Sequence, residues 1–141
     1  MTKITTDEVE CQACGSKQNV EIFESINVTN QPELKEKLFQ GQLNIFTCDK
    51  CSHKAMVDIP VLYNDMQRKF SVQYYPSRWI FDDSFLNEFT KQGEPAWTRD
   101  GRVPEKVMGY LKWTHIVFSM DELIRYVMFR DRISEKWKQS S

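Results

Sequence analysis

The chain has 141 residues, a formal net charge of −1 and a pI of about 6.1, with charged residues at 28% and both signs interspersed. That balance argues against a nucleic-acid binder, which shows a basic excess or stripe, and no stretch approaches the roughly 18–20 apolar residues of a membrane span. An apolar content of 40% is enough for a real core in one domain, or one domain with a small appendage.

The first residues, Met1 to Glu8, are polar and carry no apolar signal region. They predict a cytoplasmic protein with a short mobile leader over 1–9. Val20, Ile22, Ile26 and Val28 then fall at even spacing, which predicts a half-buried strand over 20–29. A helix start follows, with Asn30 as N-cap, Pro32 in the first turn and Glu33 at the capping-box position. Leu34, Leu38 and Phe39 form its apolar stripe, and Gly41 stops it. Short strands are expected at 43–47, 54–62 and 68–75. A short helix over 83–91 takes Asp82 or Asp83 as its cap, and 92–107 reads as loop. The run 110–118 predicts a strand. Ser119 and Glu122 then make a capping box that opens the longest helix, about 120–137, with Leu123, Tyr126, Val127, Ile133 and Trp137 at helical spacing.

The chemistry concentrates in the cysteines. Cys11-Gln12-Ala13-Cys14 and Cys48-Asp49-Lys50-Cys51 are two knuckles, each turning a pair of sulfurs toward one point. Four cysteines in two tight pairs, without a secretory signal, argue for a metal rather than disulfides. Four thiolates complete a tetrahedron and leave no open position, so the site is structural rather than catalytic, with zinc the expected ion. Iron is the rival metal, as in rubredoxin-type carriers. Cys14-Gly15 matches that pattern, but Cys51-Ser52 lacks the matching glycine and neither knuckle carries the usual proline.

The order of features resembles the CpXC domain family. The likeness rests on both knuckles, on Pro32-Glu33-Leu34-Lys35, on Gly41-Gln42-Leu43-Asn44, and on Leu62-Tyr63-Asn64-Asp65. It covers roughly 9–75 and continues more weakly at His115–Ser119 and Arg130–Glu135. Gln12 and Asp49 stand where the family's name calls for proline, which ligates nothing. The resemblance implies a metal-stapled domain and adds no reaction.

Other candidates are weaker. His53, just past Cys51, reads as a surface residue and His115 as a structural one. Asp82-Asp83 reads as a helix cap before a carboxylate pair. The sequence shows no Gly-rich phosphate loop, nucleophile elbow or His-Glu-x-x-His motif. Phe70, Tyr74, Tyr75, Trp79, Phe81, Phe85, Phe89 and Trp97 read either as a second core or as a docking surface, where aromatics and arginine serve as anchors. Arg78 and Trp79 are its first interface candidates. Lys50, Lys54, Arg68 and Lys69 form a sparse basic patch.

The fold class expected is α+β. A zinc-ribbon-like β-structure with an inserted helix occupies 1–75. An extension over 76–141 packs a C-terminal strand and a long helix onto it, the two halves being joined as separate units or through one sheet. The function expected is a non-catalytic, zinc-binding interaction module, an accessory protein or small subunit beside larger protein subunits of an enzyme complex. A nucleic-acid-associated zinc ribbon and a rubredoxin-like iron electron carrier are the alternatives.

Overall fold

The computed structural model describes residues 2–104, 106 and 109–139. The fold is α+β, as expected. Its strands are β1 (Lys3–Glu10), β2 (Lys17–Asn27), β3 (Ile45–Thr47), β4 (Lys54–Met56), β5 (Val61–Asp65), β6 (Phe70–Tyr74) and β7 (His115–Val117). Its α-helices lying wholly within the described residues are α1 (Glu33–Phe39), α2 (Asp83–Leu86) and α3 (Met120–Gln139). The larger sheet has five strands in the order β1-β2-β5-β6-β7, and β3 and β4 form a separate pair. The contacts β1–β2 and β5–β6 are antiparallel, while β2–β5 and β6–β7 are parallel.

Alternation decides which face of the sheet is covered. Val61 and Tyr63 on β5, Val72 and Tyr74 on β6, and Val117 on β7 point to one side. They meet Leu34 and Leu38 of α1 and Leu123 and Val127 of α3 in a single buried cluster. The Ser119 hydroxyl accepts the Glu122 amide at 3.0 Å, so the expected cap opens α3.

Four expectations are corrected. Residues 3–10 are not a leader but a strand, held along eight residue pairs with β2, from Lys3↔Ser25 to Glu10↔Lys17. Its polar side chains hid it, since backbone pairing needs no apolar alternation. Asn30 does not cap α1, whose N-cap is Pro32 with no side-chain bond. The turn is organised by buried Asn27, whose side chain accepts the Thr29 and Asn30 amides at 3.1 and 3.3 Å. The expected strand over 54–62 splits into β4 and β5, because the chain turns between them and Pro60 has no N–H to give a ladder. Of 110–118, only His115–Val117 pairs as strand, and Gly109–Trp113 forms a 3-10 turn. The Thr114 hydroxyl donates to the Leu111 carbonyl at 2.6 Å and closes that turn.

Candidate metal centre

Each knuckle sits at the tip of an antiparallel pair. Cys11–Cys14 links β1 to β2, and Cys48–Cys51 links β3 to β4. The two turns are built alike. The Cys11 amide donates to the Ser16 carbonyl and the Gly15 amide to the Cys11 carbonyl, both at 2.8 Å. In the second knuckle the Cys48 amide donates to the His53 carbonyl and the Ser52 amide to the Cys48 carbonyl, both at 2.9 Å. The residue after each second cysteine is left-handed, Gly15 at φ +77° and Ser52 at φ +64°.

The two tips face each other because side-chain amides tie them together. Gln18 of β2 donates to the Thr47 carbonyl at 3.1 Å and accepts the Asp49 amide at 2.9 Å. Asn44, before β3, accepts the Phe23 amide at 2.8 Å and donates to the Phe23 carbonyl at 3.0 Å. Phe46, Cys11 and Cys48 are buried beneath, packed with Val9, Val20 and Val57.

The four sulfurs consequently lie within 4.8 Å of one another, and no other group of three or more metal-ligating residues occurs among the described residues. Across the two knuckles, Cys11 Sγ lies 3.5 Å from Cys51 Sγ and Cys14 Sγ lies 3.6 Å from Cys48 Sγ. A tetrahedral ion at about 2.3 Å from each sulfur needs sulfur–sulfur edges of about 3.8 Å. Both cross-knuckle edges lie within a few tenths of an ångström of that value, and the four sulfurs form a donor set suited to a four-coordinate ion. All four thiols are free of disulfides, Cys11 and Cys48 buried, Cys14 and Cys51 exposed.

The electrostatics are uneven. The Ser16 hydroxyl, aided by the Cys51 amide, draws the Cys48 thiol down to about 6. Hydrogen bonds from the Ser16 hydroxyl and amide also lower the Cys14 thiol. At Cys51 the His53 amide pulls downward, but partial desolvation within the cluster and the neighbouring sulfurs outweigh it and push the thiol up to about 12. Without a cation, four thiolates crowded together resist full ionisation, and a divalent ion removes that resistance.

The profile of the CpXC protein family matches residues 9–136. The chain belongs to the CpXC family. The match runs well past the 9–75 segment on which the sequence likeness was strongest and takes in β7 and most of α3. No curated protein and no solved structure matches the chain.

The remaining candidates fall elsewhere. His53 is not in the sulfur group and contributes only backbone to it. His115 stacks on Tyr126 of α3, the ring centroids 3.9 Å apart, with its pKa lowered chiefly by burial. The Asp82 side chain caps α2 by accepting the Ser84 amide at 2.9 Å. Arg68 pairs with Asp65 at 3.0 Å and Asp131 at 3.7 Å, which takes it out of the basic patch. Arg78 pairs with Asp58 at 2.6 Å, and Asp58 also accepts the Tyr74 hydroxyl. Trp79 joins Tyr75, Phe85, Phe89 and Phe118 in a nest of rings, with Tyr75 and Phe85 4.8 Å apart. Beside the nest, Phe81 is 89% exposed, and an apolar cavity of about 500 Å³ opens between Ile80, Phe85, Leu86, Phe89, Ile116 and Phe118. Sequence reasoning missed the roles of Gln18, Asn44 and Ser16, although Asn44 lies in the Gly41–Asn44 run that carries the family likeness and Ser16 lies two residues past a knuckle cysteine.

Proposed function

We propose that the protein is a non-catalytic module stapled by one structural zinc ion, acting in the cytoplasm as an accessory protein or small subunit of a larger complex. The observation that carries this is the four-thiol group itself, which offers an ion four sulfurs and no place for water or substrate. Zinc is favoured over iron because the knuckles lack the glycine and proline pattern of a rubredoxin-like carrier at Ser52, Gln12 and Asp49. Free thiols suit a reducing compartment.

The partner reading rests on exposed apolar side chains. Ile80 and Phe81 project beside Arg78 and Trp79, and Phe129, Ile133 and Trp137 form a ridge at i, i+4, i+8 along the exposed side of α3. These two surfaces are where larger subunits would dock.

Metal analysis with a visible spectrum, on protein purified without added metal, tests the first half. About one zinc per chain and no colour is expected, whereas iron with thiolate charge-transfer bands would make electron transfer the function. Size-exclusion chromatography of the tagged protein from its native host tests the second half. A stable complex that dissociates on Phe81→Ala or Trp137→Ala is expected, and a lone monomer counts against a subunit role.

A further inference from the structure

The four sulfurs differ in how many hydrogen-bond donors they meet. The Ser16 hydroxyl oxygen lies 3.2 Å from Cys14 Sγ and 3.3 Å from Cys48 Sγ. Thiolates can only accept, so this hydroxyl donates, its single proton lying between the two sulfurs. Cys51 Sγ faces Cys11 Sγ at 3.5 Å, and no hydroxyl among the described residues is bonded to it. Burial sorts the sulfurs a second way, since Cys11 and Cys48 are 1% and 2% exposed while Cys14 and Cys51 face solvent.

Nucleophilic attack by a thiolate needs both access and an electron pair not already engaged by donors. Cys11 and Cys48 lack the first, and Cys14 is short of the second. We infer that the Ser16 hydroxyl shields the Cys14–Cys48 edge of the centre and leaves Cys51 as its site of selective modification by soft electrophiles. The inference rests on the zinc reading of the four-thiol group and adds to it a direction of attack. In the modification, a Cys51 sulfur lone pair forms the new S–C bond, the carbon's leaving group departs with its electrons, and the ion loses one thiolate ligand.

Iodoacetamide is a suitable probe, with iodide as the leaving group. The full chain, its zinc counted in the same sample, is treated with less than one equivalent at neutral pH, and alkylated peptides are quantified by mass spectrometry. Cys51 is expected to react several-fold faster than Cys14. Ser16→Ala should bring Cys14 to parity with Cys51, and Ser16→Thr, which keeps the hydroxyl, should retain the original ratio. One zinc per chain with equal parent rates, or a Cys51-to-Cys14 ratio unchanged by Ser16→Ala, overturns the inference and leaves the zinc reading standing. A chain that holds no metal overturns both.

Discussion

Asn44 grips the backbone of Phe23 with both ends of its side-chain amide, accepting the Phe23 N–H at 2.8 Å and donating to its C=O at 3.0 Å. It acts as a one-residue strand partner between β2 and the loop that enters β3. The contact sets the β3–β4 pair against the β1–β2 pair, and so sets one knuckle opposite the other. Asn44 is 5% exposed and holds a left-handed backbone at φ +57°, a conformation asparagine tolerates better than most residues.

Replacing Asn44 with Ala should therefore do two kinds of damage. It strands the Phe23 amide and carbonyl, at about 1–3 kcal/mol, and it places a β-carbon residue without local hydrogen bonding at positive φ. Asn44→Gly removes the amide but relieves the backbone, so it should be the less destabilising by about 1 kcal/mol. Urea denaturation of the zinc-loaded protein separates the two terms. Equal losses for Ala and Gly would show that backbone conformation at 44 contributes nothing.

The two knuckles invite a stabilising substitution. Gly15 and Ser52 occupy equivalent left-handed positions, at φ +77° and +64°, and only one of them is glycine. Ser52→Gly should raise stability by up to about 1 kcal/mol, the steric cost of a left-handed residue less the extra freedom glycine brings to the unfolded chain. The reverse change, Gly15→Ser, should lower it by a similar amount. The check is the denaturation midpoint of each variant with zinc bound.

Metal removal should be far more damaging than any single side chain. A structural zinc contributes roughly 10–16 kcal/mol in small domains, against a usual net stability of about 5–15 kcal/mol. Cys11→Ser, or a strong chelator, should abolish protection of β1 to β4 amides in hydrogen exchange. Retained protection after complete zinc loss would show that Phe46 and its apolar neighbours hold the knuckles by themselves.

The same centre fixes the sign of a pH dependence. Without metal the Cys51 thiol is raised to about 12 while Cys48 is lowered to about 6, so at neutral pH Cys51 still carries its proton and Cys48 has lost most of its own. Binding zinc must displace the Cys51 proton. Zinc affinity should then fall at least tenfold per unit as pH drops from 8 to 7, and more steeply below about 6, where Cys48 is protonated as well. A bound ion would hold the thiolates ionised in the folded state, so the stability it confers should be present at high pH and lost on acidification. Titration calorimetry in buffers of different ionisation enthalpy counts the protons, and a pH-independent affinity contradicts the assignment.

How far the sequence speaks depends on the kind of contact involved. The knuckles were legible because cysteine spacing encodes a local turn, and α3 because Ser119 and Glu122 lie within one turn of each other. The strand at β6 was legible as an expected strand over 68–75, whereas β5 was run together with β4 in one expected strand over 54–62. β1 was not, because Thr5, Thr6, Asp7 and Glu8 give no alternation and the strand exists through its pairing with β2. The facing of the two tips was equally hidden. It is set by Gln18 and Asn44 acting on backbone groups 29 and 21 residues away, and a backbone amide carries no sequence signature. The aromatic run over 70–97 divided along lines the sequence did not mark, with Phe70 and Tyr74 in the main core, Tyr75, Trp79, Phe85 and Phe89 in a second nest, and Phe81 left in solvent.

A last prediction concerns how α3 is fastened. Asp131 meets Lys35 of α1 at 2.6 Å and Arg68, in the turn between β5 and β6, at 3.7 Å, so one carboxylate joins three parts of the chain. Its side chain is 17% exposed, and the neighbouring Tyr63 phenol is held neutral, its pKa raised by burial and then by Asp131 and Asp65. Removing the charge with Asp131→Asn should cost about 1–3 kcal/mol, below the full cost of breaking a buried pair because solvent reaches Lys35 and because Arg68 keeps Asp65 at 3.0 Å. Lys35→Met leaves the carboxylate with Arg68 alone and should cost less. The double variant should recover part of the sum, since a contacting charged pair does not add. Strict additivity would show that the 2.6 Å contact contributes no coupling and that α3 is held by Leu123 and Val127 in the apolar core.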